Sequence, residues 1–175
     1  MRSFAFDTPR LNCLPLTDVD SDEFFTLVEK SGVGQQRSCF SDPYKLLDKA
    51  RHNGYVAVGA FLKDSGMPID CSQDLIGCIC GVPLDHYLFL DIIVLDKYRK
   101  QGLGSEFLNG FMQKCRSENC VSNFRVQVEK NNFTTISFLD FMGFSVYPGG
   151  DFTVTVGNST QSFHTYRSRL KEVCV

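Results

Sequence analysis

The residues best suited to chemistry in this sequence lie between positions 91 and 105. Asp91 is the sole charge in the apolar run from Tyr87 to Leu95, and Arg99-Lys100-Gln101-Gly102-Leu103-Gly104-Ser105 follows that run closely. Desolvation in an apolar strand raises the basicity of a carboxylate, and a bound cation lowers it again. Asp91 therefore reads as a general base or as an anchor for an amine. The glycine pair suggests a second kind of chemistry. A turn that leaves a strand and opens a helix presents unpaired backbone N–H groups at the positive end of the helix dipole. Glycines let an anion approach that backbone closely, and a pyrophosphate would fit there. The G-x-G-x-x-G spacing of a pyridine-nucleotide turn is absent, because residue 107 is Phe.

Positioning these groups takes a strand, a tight turn and a helix, and the local patterns supply them. Tyr87 to Leu95 is the most continuous apolar run and suits a central strand covered on both faces. From Ser105 to Cys115, Phe107, Leu108, Phe111, Met112 and Cys115 recur at amphipathic-helix spacing. Upstream, a strand is predicted over Leu11–Leu16 and a helix over Glu23–Lys30, behind the capping and acidic residues Asp20-Ser21-Asp22. Ser41-Asp42-Pro43 opens a second helix that Gly54 stops, and Tyr55–Leu62 and Leu75–Val82 read as an antiparallel pair. Downstream, Phe124–Val128 alternates as a strand, and Thr134–Met142 reads as a short helix ended by Gly143. Phe144–Tyr147, Phe152–Val156 and Ser162–Leu170 are C-terminal strands separated by glycine-containing turns. The fold class is thus mixed α/β, with hairpins at both ends.

Composition limits the alternatives. The 175 residues suit a single domain spanning 1–175, and a net charge of −2 provides no global positive field for nucleic acid or an anionic membrane. No apolar stretch reaches the length of a membrane span, and the N-terminal residues lack a signal-peptide core, so a cytoplasmic location is expected. The 8 cysteines are scattered without a CxxC pair, which argues against a metal knuckle and for reduced, partly buried thiols. Cys78 and Cys80 are expected on opposite faces of their strand, and Cys115 and Cys120 could meet across a helix end.

The passage Val94-Leu95-Asp96-Lys97-Tyr98-Arg99-Lys100-Gln101-Gly102-Leu103-Gly104 resembles the GNAT acetyltransferase motif, in which a strand Val precedes an R/Q-x-x-G-x-G/A turn. Asn132, three residues before Thr135, and Gly143-Phe144 resemble the same family's N-x-x-A…G-F helix. The resemblance covers roughly residues 11 to 170. It implies the GNAT acyl-CoA N-acyltransferase fold, a central mixed, splayed sheet flanked by helices, with acetyl-CoA as co-substrate and no metal. The pantetheine arm would then pair with the backbone of Val94 and Leu95. The amides of Gln101, Gly102, Leu103, Gly104 and Ser105 would hold the pyrophosphate, with Arg99 and Lys100 on the turn and Asn132 near the cofactor.

The implied reaction is transfer of an acetyl group to a primary amine of a small molecule or protein, by direct attack in a ternary complex. An alkylammonium with a pKa of about 10 must lose a proton before it attacks, which requires a base or a water relay. Asp91 is the first candidate and Glu129 the second, and the Val94 N–H is the motif position for stabilising the thioester oxyanion. Asp91-Ile92-Ile93-Val94 also looks like the strand of polyamine-type members, although Leu90 stands where those carry another acid. The family's frequent acid, a Tyr four residues before the Gly-Phe pair, is Leu139 here. Ser137, Tyr147 or water could protonate the departing thiolate, the thiolate could leave unprotonated, or the protein could be an acyl-CoA-binding regulatory module with weak or no catalysis. The Phe residues on the first two helices and the C-terminal strands could also supply a homodimer surface.

Overall fold

The computed structural model describes residues 4–17, 20–31, 42–52, 54–63, 74–118 and 121–168. In chain order the elements are β1 (Phe6–Asp7), β2 (Leu11–Pro15), α1 (Ser21–Ser31), α2 (Pro43–His52), β3 (Val56–Leu62), β4 (Leu75–Leu84) and β5 (Tyr87–Val94). A 3-10 turn (Asp96–Tyr98) leads to α3 (Leu103–Ser117), β6 (Phe124–Glu129), α4 (Phe133–Phe141), β7 (Phe144–Val146), β8 (Phe152–Val156) and β9 (Ser159–Ser168). The strands form one sheet in the order β1-β2-β3-β4-β5-β6-β9-β7, with β8 paired to β9. β1 to β5 are antiparallel neighbours, whereas β5 and β6 run parallel because the crossover helix α3 joins them.

Strand alternation divides the core between the two faces of the sheet. On one face, Leu103, Phe107, Leu108, Phe111, Met112 and Cys115 of α3 pack with Leu139 of α4 over Val58, Ile79, Leu88, Leu90, Val126 and Val128. The buried stripe of α3 is the one its i, i+4 spacing predicts, and sealing Phe107 or Phe111 stabilises the fold by roughly 1.5–3 kcal/mol each. On the other face, Phe24, Leu27 and Val28 of α1 and Leu46 and Leu47 of α2 cover Ala57, Phe61, Leu75, Cys78, Cys80 and Ile93.

Two expectations are corrected by this arrangement. Cys78 and Cys80 lie on the same face, toward α1 and α2, since strand residues two apart point the same way. β5 is not covered on both faces along its length. Leu88, Leu90 and Ile93 are buried, but Tyr87, Phe89 and Asp91 are half-buried, because the cluster under α1 and α2 includes Ile93 and stops short of them. Cys13, Cys78, Cys80 and Cys115 are buried and lie outside any disulfide; Cys120, the expected neighbour of Cys115, lies outside the described residues. No helix among the described residues is long and apolar enough to cross a membrane.

Candidate active site

The site begins where β5 and β6 separate. Their parallel pairing is confined to Leu88↔Phe124 and Phe89↔Arg125, so the two strands diverge from about Leu90 and Arg125 onward. The register with β4 fixes which backbone groups face the gap. Leu95 N–H donates to the Ile76 carbonyl at 2.9 Å, and Leu88 N–H donates to Asn123 at 3.0 Å on the opposite side. Bonding direction alternates along an antiparallel ladder, so the amides of Ile92 and Val94 point away from β4 into the opening. Across the gap, Val126 and Val128 face β9, which leaves the backbones of Gln127 and Glu129 facing β5. A peptide-like chain entering here finds strand edges on both sides.

Sequence explains why β4 and β5 lie so close at this end. Gly77 stands opposite Val94, and a Cβ on Gly77 would sit 2.6 Å from the Ile93 carbonyl oxygen. Only a residue without a side chain fits there without shifting the backbone.

Beyond Val94 the chain makes the 3-10 turn and then a tight reversal with two left-handed residues, Lys100 at φ 58° and Gly102 at φ 78°. Gly102 is the N-cap of α3 and no side chain caps the helix. The first intrahelical bond is Glu106 N–H to the Gly102 carbonyl at 3.0 Å, so the Leu103, Gly104 and Ser105 amides have no intrahelical partner. A Cβ on Gly104 would lie 3.6 Å from Val94 Cγ2 and 3.8 Å from Phe138 Cε2. The start of α3, the end of β5 and α4 therefore converge on one spot, and an alanine would fit at position 104.

Two side chains of the turn bond to nearby backbone carbonyls. Arg99 donates through Nε to the Val94 carbonyl at 2.8 Å and pairs through Nη1 with Asp96 at 2.8 Å, which braces the turn from within. Gln101 Nε2 donates to the Lys97 carbonyl at 2.8 Å. Lys100 is exposed on the turn. A residue absent from the sequence reading is Arg10, whose Nη1 donates to the Gln101 carbonyl at 3.0 Å. Arg10 is itself fixed by Glu106, which accepts from its backbone N–H at 2.8 Å and from its Nε at 2.7 Å, and Thr8 Oγ1 donates to the same carboxylate. Burial pushes the Glu106 carboxyl up, and the hydrogen bonds from Thr8 and Arg10 outweigh it and hold it below its ordinary value.

The remaining expected residues are spread across the two faces. Asp91 is half-buried on β5, opposite Cys80, on the face that α1 and α2 only partly cover. Glu129 is half-buried at the end of β6, in register with Phe163. Asn132 is exposed and caps α4, its side-chain oxygen accepting from Thr135 N–H at 3.1 Å. Tyr147 is half-buried at the closed end of the splay, its ring centroid 4.2 Å from the Arg125 guanidinium carbon and 5.6 Å from that of Arg167. Ser137 is exposed on α4, and Leu139 is fully buried in the core.

The sequence model of the Acetyltransferase (GNAT) family matches residues 22–144, which include β5, the glycine turn, α3, β6 and α4. The chain belongs to the GNAT acetyltransferase family. It is by that membership an acyltransferase, with the splayed mixed sheet of the family. Its fold is shared by solved structures of low sequence identity. The GNAT-family acetyltransferase from Bacillus anthracis is 15% identical with a TM-score of 0.70, over 93% of this chain and 96% of that one. The ribosomal-protein-S5-alanine acetyltransferase from Vibrio fischeri is 10% identical with a TM-score of 0.72, over 96% and 97%. The microcin C7 self-immunity acetyltransferase MccE, solved with acetyl-CoA and AMP, is 10% identical with a TM-score of 0.70, over 91% and 92%. No curated protein sequence matches this GNAT chain.

Proposed function

We propose that the protein transfers an acetyl group from acetyl-CoA to a primary amine, by direct attack of the amine on the thioester. The observation that carries this reading is the divergence of β5 and β6 beside an uncapped helix N-terminus. One cleft then offers strand edges to the pantetheine amides and the first-turn amides of α3 to the pyrophosphate. Residues Gln101 to Ser105 bind chiefly through their backbone. Arg99 acts by bracing the turn, and Lys100 supplies charge from its exposed position. Val94 and Leu95 line the pantetheine arm, and Asn132 contributes by fixing the start of α4.

In this reading the amine enters from the face of Asp91. The carboxylate of Asp91 anchors the ammonium and accepts its proton directly or through water, with Glu129 as the alternative base. The Val94 N–H, aimed into the gap, stabilises the negative charge that develops on the thioester oxygen. Tyr147, engaged with two guanidinium groups, serves orientation rather than proton transfer. Water protonates the thiolate or the thiolate departs as such, because Leu139 has nothing to donate.

The test is release of CoA thiol on mixing acetyl-CoA with a panel of primary amines, repeated with Asp91→Asn. We expect kcat/KM for the amine to fall at least about tenfold in the variant, within the range that a general base contributes. Full activity of Asp91→Asn at saturating amine would remove that residue from the mechanism. The burial of Leu139 in the core favours one second reading, an acyl-CoA-binding regulatory module with little turnover. Tight acetyl-CoA binding by calorimetry, without CoA release on any amine, would select it.

A further inference from the structure

Arg125 on β6 and Arg167 on β9 stand directly opposite each other in the antiparallel ladder. Like charges in that relation repel and cost stability. Sheets usually relieve such a pair with a nearby carboxylate, yet among the described residues neither guanidinium makes an ion pair or a hydrogen bond. Aromatic rings hold them instead. The Arg125 guanidinium carbon is 3.7 Å from the centroid of the Tyr87 ring and 4.2 Å from that of Tyr147, and Arg167 reaches the same Tyr147 ring at 5.6 Å. A guanidinium stacked on rings is fixed in orientation, and its N–H donors lie in its plane, suited to a planar bidentate acceptor.

The location gives this unneutralised pair a role. Arg125 is the parallel partner of Phe89, at the point where the splay opens, and Asp91 lies two residues farther along β5 on the same face as Phe89. With a rise of about 3.3 Å per residue and a strand spacing of about 4.8 Å, the Cα atoms of Arg125 and Asp91 are about 8 Å apart. Two side chains on that spacing can take the two ends of one small zwitterion.

We infer that Arg125, with Arg167 beside it, binds the carboxylate of the acceptor, so that the substrate class is a small amino-carboxylate rather than a plain amine. The inference rests on the acetyltransferase reading above, with the ammonium end at Asp91 and the carboxylate end at Arg125. Charge complementarity at both ends also orients the amine toward the gap, which is the part of catalysis that positioning supplies. Arg125 is a specificity residue in this scheme and takes no part in the chemical step.

The experiment separates charge preference from turnover. N-acetylglycine and N-acetyl-β-alanine, each against its carboxamide, are titrated calorimetrically into the full chain with CoA present, so no reaction is needed. In parallel, CoA release is measured with glycine, β-alanine and their amides. We expect each carboxylate to bind about tenfold or more tightly than its amide at low salt, with the preference lost in Arg125→Gln and partly kept in Arg125→Lys. Circular dichroism on both variants checks the fold; if Arg125→Gln does not fold, the Arg125→Lys comparison decides. Equal binding of acid and amide overturns the inference, as does a preference that survives in Arg125→Gln. A charge preference without CoA release from any acceptor sinks the acetyltransferase reading and leaves the anion site standing. CoA release without any charge preference does the opposite.

Discussion

Arg10 donates through Nη1 to the carbonyl of Gln101 at 3.0 Å, which ties the segment between β1 and β2 to the turn that opens α3. The contact joins residues 91 positions apart, and the Glu106 carboxylate fixes its far end. Arg10 thus acts on the candidate pyrophosphate turn through a backbone carbonyl of that turn.

The first prediction follows from that tie. Arg10→Ala frees the Gln101 carbonyl and loosens the turn, so the pre-organised amides lose their fixed direction. KM for acetyl-CoA is expected to rise several-fold, about 1 kcal/mol, with kcat and the KM for the amine little changed. Steady-state kinetics with each substrate varied separately checks this. An unchanged KM for acetyl-CoA would show that the turn keeps its shape without Arg10.

Glu106 gives a pH prediction with a definite sign. Its carboxyl is held below the ordinary value of 4.5, the hydrogen bonds from Thr8 and Arg10 exceeding the opposing effect of burial. A depressed carboxyl contributes stability that is fully present above the unfolded pKa and is lost as pH falls through the lower, folded one. Glu106→Gln should therefore cost about 1–2 kcal/mol at neutral pH. That deficit should shrink progressively below the ordinary value of 4.5. Urea unfolding of both proteins across the acid range measures it, and a deficit independent of pH would contradict the assignment.

The cysteines offer a chemical probe of the core. Cys13 is fully buried, and burial, with Asp7 and Glu106 nearby, pushes its thiol up to about 12. The thiolate is the reactive form, so Cys13 should resist alkylation in the native protein at pH values where a free thiol reacts. Peptide mapping after iodoacetamide treatment, with and without denaturant, tests this; native labelling at Cys13 would mean that the β1–β2 edge opens readily.

The two glycines of the turn should respond oppositely to alanine. Gly102 has φ 78°, where a side chain is strained, and its added Cβ would press on Arg10 Nη2 at 3.3 Å. Gly102→Ala should cost about 1–2 kcal/mol and weaken acetyl-CoA binding. Gly104 has an ordinary backbone conformation, and its added Cβ would make normal contacts with Val94 and Phe138. Gly104→Ala should melt near the wild type. Equal destabilisation by both would mean that close backbone approach, rather than backbone conformation, governs this turn.

Much of this was legible in the sequence because it is encoded locally. The period of Phe107, Phe111 and Cys115 marked α3, and the apolar run before Asp96 marked β5, since each pattern is complete within one element. The glycine turn was legible for the same reason. The Arg10–Glu106 tie was not, because it joins residues 96 apart, and neither type nor spacing foretells such a contact. The Arg125–Arg167 juxtaposition depends on the register of β6 with β9, which pattern alone does not set. The start of β9 was expected at Ser162 and lies at Ser159; Ser159 and Thr160 are polar and exposed, so they carry no apolar signal.

Leu139 supplies the last prediction. It occupies the position where the GNAT resemblance leads one to expect a tyrosine acid, and restoring the tyrosine is the obvious substitution. The side chain is wholly buried in the cluster that α3 and α4 share with the sheet. A phenol there must displace packed neighbours, which costs about 1–3 kcal/mol, and it also buries a hydroxyl that requires a partner. Leu139→Tyr is therefore expected to lower the melting temperature and leave kcat unimproved. Leu139→Ala, which leaves a cavity, should destabilise by about 2–5 kcal/mol. Thermal melts beside CoA-release assays distinguish the outcomes. A gain in kcat for Leu139→Tyr would mean that α4 turns this position toward the thioester during catalysis.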